Sequence, residues 1–318
     1  MLRSFLIYLS KAAWARRLVM ALPFSRRMAM RFVAGETIEA AFQAVSELNR
    51  NGMLATLDLL GEHTNDSAAA NEARLQIQQL LTRLAQSGLR SNVSIKLTQI
   101  GLRLDEASCA QHLKAILDAA GAHGLFVRID MEESACVDAT LRLYRQMYAA
   151  GYVNVGVVIQ SALYRSDSDV LALLDEEARI RLVKGAYLEP PQVAYADKKA
   201  VDKAFDQLAD LMLHASHTPQ LERGRDGAWP PIAAIGTHDD KRVEFVKRHA
   251  EEIGLGKEYY EFQMLYGIRR ELQNQLVKEG YAVRIYVPFG REWYPYFMRR
   301  LAERPANLWF FLANLVRR

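Results

Sequence analysis

Cysteine is nearly missing from this chain. The two in 318 residues, Cys109 and Cys136, form no metal or redox spacing. Both fall in stretches that read as helical and partly apolar, so buried thiols are expected, and usage this sparse fits a reducing cytoplasm. The seven histidines are scattered and no Cys/His cluster has the spacing of zinc ligands. No G-x-G-x-x-G follows a strand-like run, which removes the usual dinucleotide site. Low-complexity tracts and sequence repeats are absent. Acidic residues are missing from positions 1–31, which carry seven basic ones: Arg3, Lys11, Arg16, Arg17, Arg26, Arg27 and Arg31. The charge-free runs there are too short to span a bilayer. The basic residues also break up any apolar region a signal peptide needs. Two uses fit this segment: a pair of helices packed on the main domain, or a basic, Trp-bearing stretch lying in a membrane interface.

What the chain does have is apolar mass. Half its residues are hydrophobic, ample for a large core. From about residue 53, strand-length apolar runs alternate with helix-length segments. Strands are expected near 53–61, 93–100, 125–131, 153–159, 179–183, 232–237, 260–265 and 283–287. The runs at 126–129, 155–159 and 283–287 are rich in β-branched residues, as in strands buried on both faces. Helices are expected at 71–87, 106–122, 134–150, 193–216 and 241–253. Gly88, Gly121, Gly151 and Gly280 stand where a left-handed cap suits glycine. Eight strands with intervening helices predict an α/β fold, a (β/α)8 barrel over 51–318 preceded by a helical segment at 1–50. The stretch 220–229 reads as a surface loop.

A parallel barrel carries its site at the C-terminal ends of its strands. Glu62 follows the first strand and Lys96 stands in the second. Arg128, Asp130, Met131 and Glu132 end the third, and Gln160 the fourth. Arg181, Lys184 and Tyr187 belong to the fifth, and Thr237, His238 and Asp239 to the sixth. Unpaired charges in a core are costly, so this many polar residues on buried strands implies a shared ligand or network. The stretch 283–303 is the most pointed. Its strand delivers Tyr286, a Pro-x-Gly turn follows, and a helix then carries Tyr296, Arg299, Arg300 and Glu303. Spacings of three and four put Tyr296 one turn before both arginines. Two guanidiniums beside an aromatic wall suit a small carboxylate with an apolar body. Two strand lysines, Lys96 and Lys184, raise a rival: a Schiff-base lyase of the aldolase type. A non-catalytic barrel that binds a flavin or an amino acid is the other alternative.

The motifs together resemble the proline dehydrogenase family, in its short monofunctional bacterial form. They run in order: D-L-L-G-E (58–62), S-I-K-L-T-Q-I-G (94–101), R-I-D-M-E (128–132), V-V-I-Q (157–160), R-L-V-K-G-A-Y (181–187), G-T-H-D (236–239), E-F-Q-M-L-Y-G (261–267) and R-I-Y-V-P-F-G with Y-F-M-R-R-L-A-E. The resemblance implies a distorted TIM-type barrel and FAD bound noncovalently at the strand ends. It implies oxidation of L-proline to 1-pyrroline-5-carboxylate, the first step of proline catabolism to glutamate. By the same resemblance Arg299, Arg300 and Lys96 hold the proline carboxylate, while Tyr286, Tyr296 and Leu265 wall the ring. Asp130 and Arg181 match essential polar residues beside the flavin. Met131, Gln160, Val183, Lys184, Gly185, Ala186, Tyr187, Thr237 and His238 match cofactor contacts. Glu62 matches a carboxylate of a gating ion pair whose arginine the sequence does not place, and Glu303 would tie the last helix to the barrel through an arginine. For the proton lost from the amine, Asp130, Lys96 and water all remain candidates.

The family's electron acceptor is a membrane quinone. The basic N-terminus and the closing N-L-W-F-F-L-A-N-L-V-R-R would supply lipid contact, so a cytoplasmic protein peripheral on the inner face of the membrane is expected. No aldehyde dehydrogenase extension is expected. Nor is nucleic-acid binding, since the net charge of +4 comes without a DNA-binding module. The oligomeric state is not legible.

Overall fold

The computed structural model describes residues 9, 12–21, 23–62, 64–216 and 228–303. Its centre is a closed barrel of eight strands in sequence order. They are β1 (Leu54–Leu59), β2 (Ser91–Ile95), β3 (Val127–Ile129), β4 (Val155–Gln160), β5 (Ile180–Val183), β6 (Ala233–Gly236), β7 (Tyr260–Leu265) and β8 (Val283–Phe289). Every neighbouring pair is parallel, and β8 closes on β1 through Leu54 to Leu59. The expected (β/α)8 architecture is therefore the fold.

Helices α1 (Ala13–Ala21), α2 (Pro23–Ala29) and α3 (Ile38–Arg50) precede the barrel. Around it run α4 (Ser67–Ser87), α5 (Glu106–Gly121), α6 (Val137–Ala149), α7 (Ser166–Asp175), α8 (Lys198–Ala215), α9 (Asp240–Glu252) and α10 (Arg270–Lys278). The last is α11 (Trp293–Glu303). The starts are written locally. Asp66, Asp105 and Asp197 each accept the backbone N–H three residues on.

One large core joins the outer faces of the strands to the helices, through residues such as Leu57, Ile95, Val157, Leu182 and Phe262, with Ala41 and Val45 of α3 included. A second core packs Ala15, Met28, Ala29, Phe32 and Val33 against Trp293, Tyr294, Phe297 and Leu301. The described N-terminal helices thus cover the last helix. Both cysteines are buried and form no disulfide, and burial pushes the Cys109 thiol up to about 12.

Three local expectations differ from the structure. The second strand stops at Ile95, and Leu97–Ile100 is a turn of 3-10 helix capped by Lys96. The apolar run continues past the strand end because the turn, too, is fully buried. The helix expected at 193–216 begins only at Lys198, where Asp197 caps it. Gly121 is the final residue of α5, and the left-handed conformation falls at Gly124, φ +65. Of the surface loop expected at 220–229, residues 220–227 lie outside the described residues. Ala228 to Pro230 instead seal the N-terminal end of the barrel. Asn92 Nδ2 donates to Ala228 O at 3.2 Å, and Trp229 Nε1 donates to Gly124 O at 2.7 Å.

Candidate active site

Inward positions on the strands recur every second residue, and here most are polar. Going round the register, Asp58 pairs with Ser94, Ser94 with Arg128, Val158 with Arg181, Gln263 with Arg284 and Leu265 with Tyr286. Of these, Asp58, Ser94, Arg181, Gln263, Arg284 and Tyr286 join Lys96, Asp130 and Glu261 in one connected side-chain network.

At its upper end Lys96 Nζ donates to Asp58 Oδ1 at 2.9 Å and Oδ2 at 3.1 Å. It also lies 3.3 Å from Tyr286 Oη and 3.6 Å from Asp130 Oδ2. Burial disfavours the Lys96 charge, but Asp58, Asp130 and Glu62 outweigh it and raise the pKa above that of a free lysine. Lys96 is therefore a fixed ammonium, not a nucleophile. Lys184, the other rival, is held between Asp202 and Asp239, the latter at 2.6 Å.

Asp130 accepts from three donors: Tyr286 Oη at 2.6 Å, Arg181 at 2.9 Å and Ser94 Oγ at 3.0 Å. Burial, with the Asp130 charge, holds the Tyr286 phenol well above its ordinary pKa, so it stays a donor. Arg181 stacks over Tyr286, its Cζ 5.3 Å from the ring centroid, and bonds Gln263 through Nε. The chain of contacts continues from Gln263 to Glu261, and from Glu261 to Arg284 at 2.7 and 3.0 Å. Charge thus alternates down the barrel: Lys96, Asp130, Arg181, Glu261, Arg284.

Over the mouth lies α11. Arg299 forms a two-pronged pair with Glu62, NH1 standing 2.9 Å from Oε2. This supplies the partner the sequence left unplaced. Burial opposes the Arg299 charge, and Glu62 more than offsets it. The pair uses NH1 and NH2 of a group with five N–H donors, so it does not exhaust the guanidinium. Arg300 is buried with its Cζ 5.0 Å from the centroid of Tyr296, itself buried. Leu265 is fixed from behind: its N–H donates to His238 Nε2 at 2.8 Å, and its carbonyl accepts from Gln273 at 3.1 Å. The Glu303 side chain lies outside the described residues, as does the closing segment.

The residues matched to the cofactor occupy the opposite arc, at the ends of β3 to β6. Gln160 donates to Glu132 O at 2.7 Å, and Thr237 Oγ1 accepts from Asp239 N at 3.1 Å. After β5 the turn Lys184-Gly185-Ala186-Tyr187 depends on Gly185, at φ +109, where a Cβ would stand 2.9 Å from Gln160 Oε1. The turn is thereby packed closely on Gln160 and Ala162, so the strand ends and the turn form one bed, and the residues present fit a planar cofactor lying across it. Burial and the Glu62 charge raise the pKa of Tyr187, against Arg299. That places the turn in the same electrostatic field as α11.

Sequence reasoning gave no role to Asp58, Ser94, Glu132, Glu261, Gln263 or Arg284. All stand on strands or shortly after them, and Ser94, Gln263 and Arg284 lie on the inward alternation two places from an assigned residue, Lys96, Leu265 and Tyr286 respectively. That alternation was the available signal. Glu132 is buried, and its carboxylate accepts from the Thr98 N–H at 3.0 Å. Burial pushes its pKa up to about 7 against those bonds.

Comparison with known proteins shows the family and the fold. The model of the family described as proline dehydrogenase matches residues 41–312. Proline dehydrogenase 1 of Bacillus subtilis (strain 168) is 40% identical over 318 residues, covering 100% of both chains. Proline dehydrogenase of Deinococcus radiodurans is 42% identical over 294 residues, 91% of this chain and 90% of its own. Among solved structures, proline utilization A (PutA) from Bdellovibrio bacteriovorus, inactivated by N-propargylglycine, superposes with a TM-score of 0.78 at 26% identity. That match covers 88% of this chain and 33% of the longer one.

Proposed function

The chain belongs to the proline dehydrogenase family, a flavin-dependent one, and oxidises L-proline to 1-pyrroline-5-carboxylate; we propose that it does so with FAD held noncovalently across the ends of β3 to β6. The supporting observation is the pairing of two arcs at one barrel mouth. Fixed cations (Lys96, Arg299, Arg300) and aromatic walls (Tyr286, Tyr296) stand on one side, and the turn at Gly185, packed on Gln160 at the strand ends, on the other.

Arg299, Arg300 and Lys96 bind the proline carboxylate through charge-assisted hydrogen bonds. Leu265, Tyr286 and Tyr296 fill the space beside the ring methylenes and exclude water. With the carboxylate fixed, the distal ring carbon next to nitrogen points toward the cofactor arc. When bound, the flavin supplies the acceptor for the hydride leaving that carbon. Asp130 accepts from Tyr286, Arg181 and Ser94, and so orients those groups. Arg181 lends its charge to the cofactor side of the site. Met131, Gln160, Val183, Lys184, Gly185, Ala186, Tyr187, Thr237 and His238 form the cofactor bed, with the Lys184 ammonium tied to its two aspartates. The Glu62–Arg299 pair serves as the gate over bound proline.

Electrons pass on to a quinone in the membrane. No helix among the described residues is long and apolar enough to cross one. Trp14, at 59% exposure, with exposed Arg17, Arg26, Arg27 and Arg31, supports a peripheral contact with anionic lipid. Cosedimentation with phosphatidylglycerol vesicles, absent with phosphatidylcholine, tests this.

The decisive experiment is an anaerobic titration of the purified protein with L-proline. Visible flavin bands should bleach with L-proline but not with D-proline or glutamate. A flavin that stays oxidised would sink the redox reading in favour of a binding barrel. Borohydride trapping of an oxo acid on Lys96 or Lys184 would favour the lyase, which the compensated charges of both lysines oppose.

A further inference from the structure

Away from the barrel mouth, Asp210 and His214 stand one turn apart on α8, and His249 faces them from α9. One ligand atom from each lies within 4.8 Å of the others. His214 Nδ1 is 3.2 Å from Asp210 Oδ1, and His249 Nε2 lies against that same oxygen. Yet His249 Nε2 is buried and makes no hydrogen bond of acceptable geometry. Two imidazoles converging on one carboxylate oxygen is the arrangement a cation resolves, since each ring then presents a lone pair rather than competing for one acceptor.

We propose that Asp210, His214 and His249 form a site for a divalent transition metal of the zinc type. One carboxylate and two imidazoles are a borderline nitrogen–oxygen set, suited to zinc, nickel or copper(II) and poorly suited to magnesium or calcium, which take oxygen ligands. Spacing of i and i+4 on α8 puts its two ligands on one face. His249 is already oriented: its ring stacks on Phe245 with an interplanar angle of 8°, and Nδ1 lies 3.3 Å from Glu252 Oε2. A carboxylate behind a ligating histidine fixes ring and tautomer. Binding requires the exposed His214 ring to release its 3.0 Å contact with the Asp210 carbonyl, and His249 Nε2 to draw back from Asp210 Oδ1, because two ligand atoms on one tetrahedral zinc stand about 3.3 Å apart.

The role of the site is structural. All three residues lie in the last turns of α8 and α9. In a (β/α)8 barrel those helix ends face the N-terminal ends of the strands, opposite the catalytic mouth. A metal there clips two neighbouring helices, and because the unfolded chain does not assemble the three ligands, binding stabilises the fold.

The test uses the tag-free, flavin-loaded protein stripped with EDTA. Zinc is titrated calorimetrically in a non-coordinating buffer, and thermal unfolding is followed with and without it. One zinc per chain with a raised Tm is expected, both lost on re-adding EDTA. His249→Ala and, at the exposed position, His214→Ala should each weaken binding by about tenfold or more and abolish the Tm rise. Bleaching by proline should stay unchanged in all forms. No binding up to about 1 mM zinc, equal binding by both variants, or equal binding of magnesium would overturn the proposal.

Discussion

Lys96 and Arg299, the proposed carboxylate binders, are each already matched to a carboxylate, Asp58 and Glu62 respectively. Such pairing keeps both cations charged in a buried site, and it means that removing one partner leaves the other uncompensated. Arg299→Met should therefore raise KM for proline by about tenfold or more, the worth of a charge-assisted hydrogen bond, with a smaller change in kcat. Steady-state kinetics showing an unchanged KM would remove Arg299 from the carboxylate site. Tyr296 contributes bulk: it is buried and lies under Arg300. Tyr296→Ser should open space at the ring edge and lower the kcat/KM preference for proline over hydroxyproline. A constant ratio would show that the wall stands elsewhere.

At the scale of elements, the turn after β5 carries the sharpest constraint. Gly185 sits at φ +109 with Gln160 Oε1 behind it, so Gly185→Ala combines backbone strain of about 1–3 kcal/mol with intrusion on the proposed cofactor bed. The variant should fold but retain flavin roughly tenfold less tightly or worse, read by absorbance after dialysis. Full flavin retention would show that the packing of this turn on Gln160 does not shape the cofactor bed. The end of β2 teaches the opposite lesson. S-I-K-L-T-Q reads as continuous strand because every residue is apolar or buried, yet the chain turns into 3-10 helix at Leu97. Periodicity reports burial, not the handedness of the backbone within a short run. The turn places Lys96 at the strand's end, within reach of Asp58, Tyr286 and Asp130.

For the molecule as a whole, the unusual feature is a barrel filled with charge. Glu261 and Arg284 are buried and paired deep in the barrel. Glu261→Ala should destabilise by about 3–5 kcal/mol, because Arg284 is left buried without its carboxylate. Chemical denaturation checks this, and a loss under about 1 kcal/mol would mean the pair contributes little. Stability should also depend on pH through Glu132, pushed up to about 7 in the fold. A carboxyl with a raised folded pKa stabilises below its ordinary range, and that contribution is lost as pH climbs toward 7. It is up to about 3 kcal/mol. Glu132→Gln should erase the decline between the ordinary carboxyl range and neutrality, measured as Tm against pH. Parallel profiles for both proteins would place the titration elsewhere.

The sequence by itself determined the alternation of eight strands with helices and the residue types at each strand end, because these follow from periodicity. The motifs carried the family. Only the tertiary structure decided the partners: Glu62 with Arg299, 237 positions apart, Asp130 with Tyr286, 156 apart, and His249 with the Asp210–His214 pair. Such contacts depend on barrel register and helix packing, which bring distant residues together by closure of the sheet, and no local pattern encodes that closure.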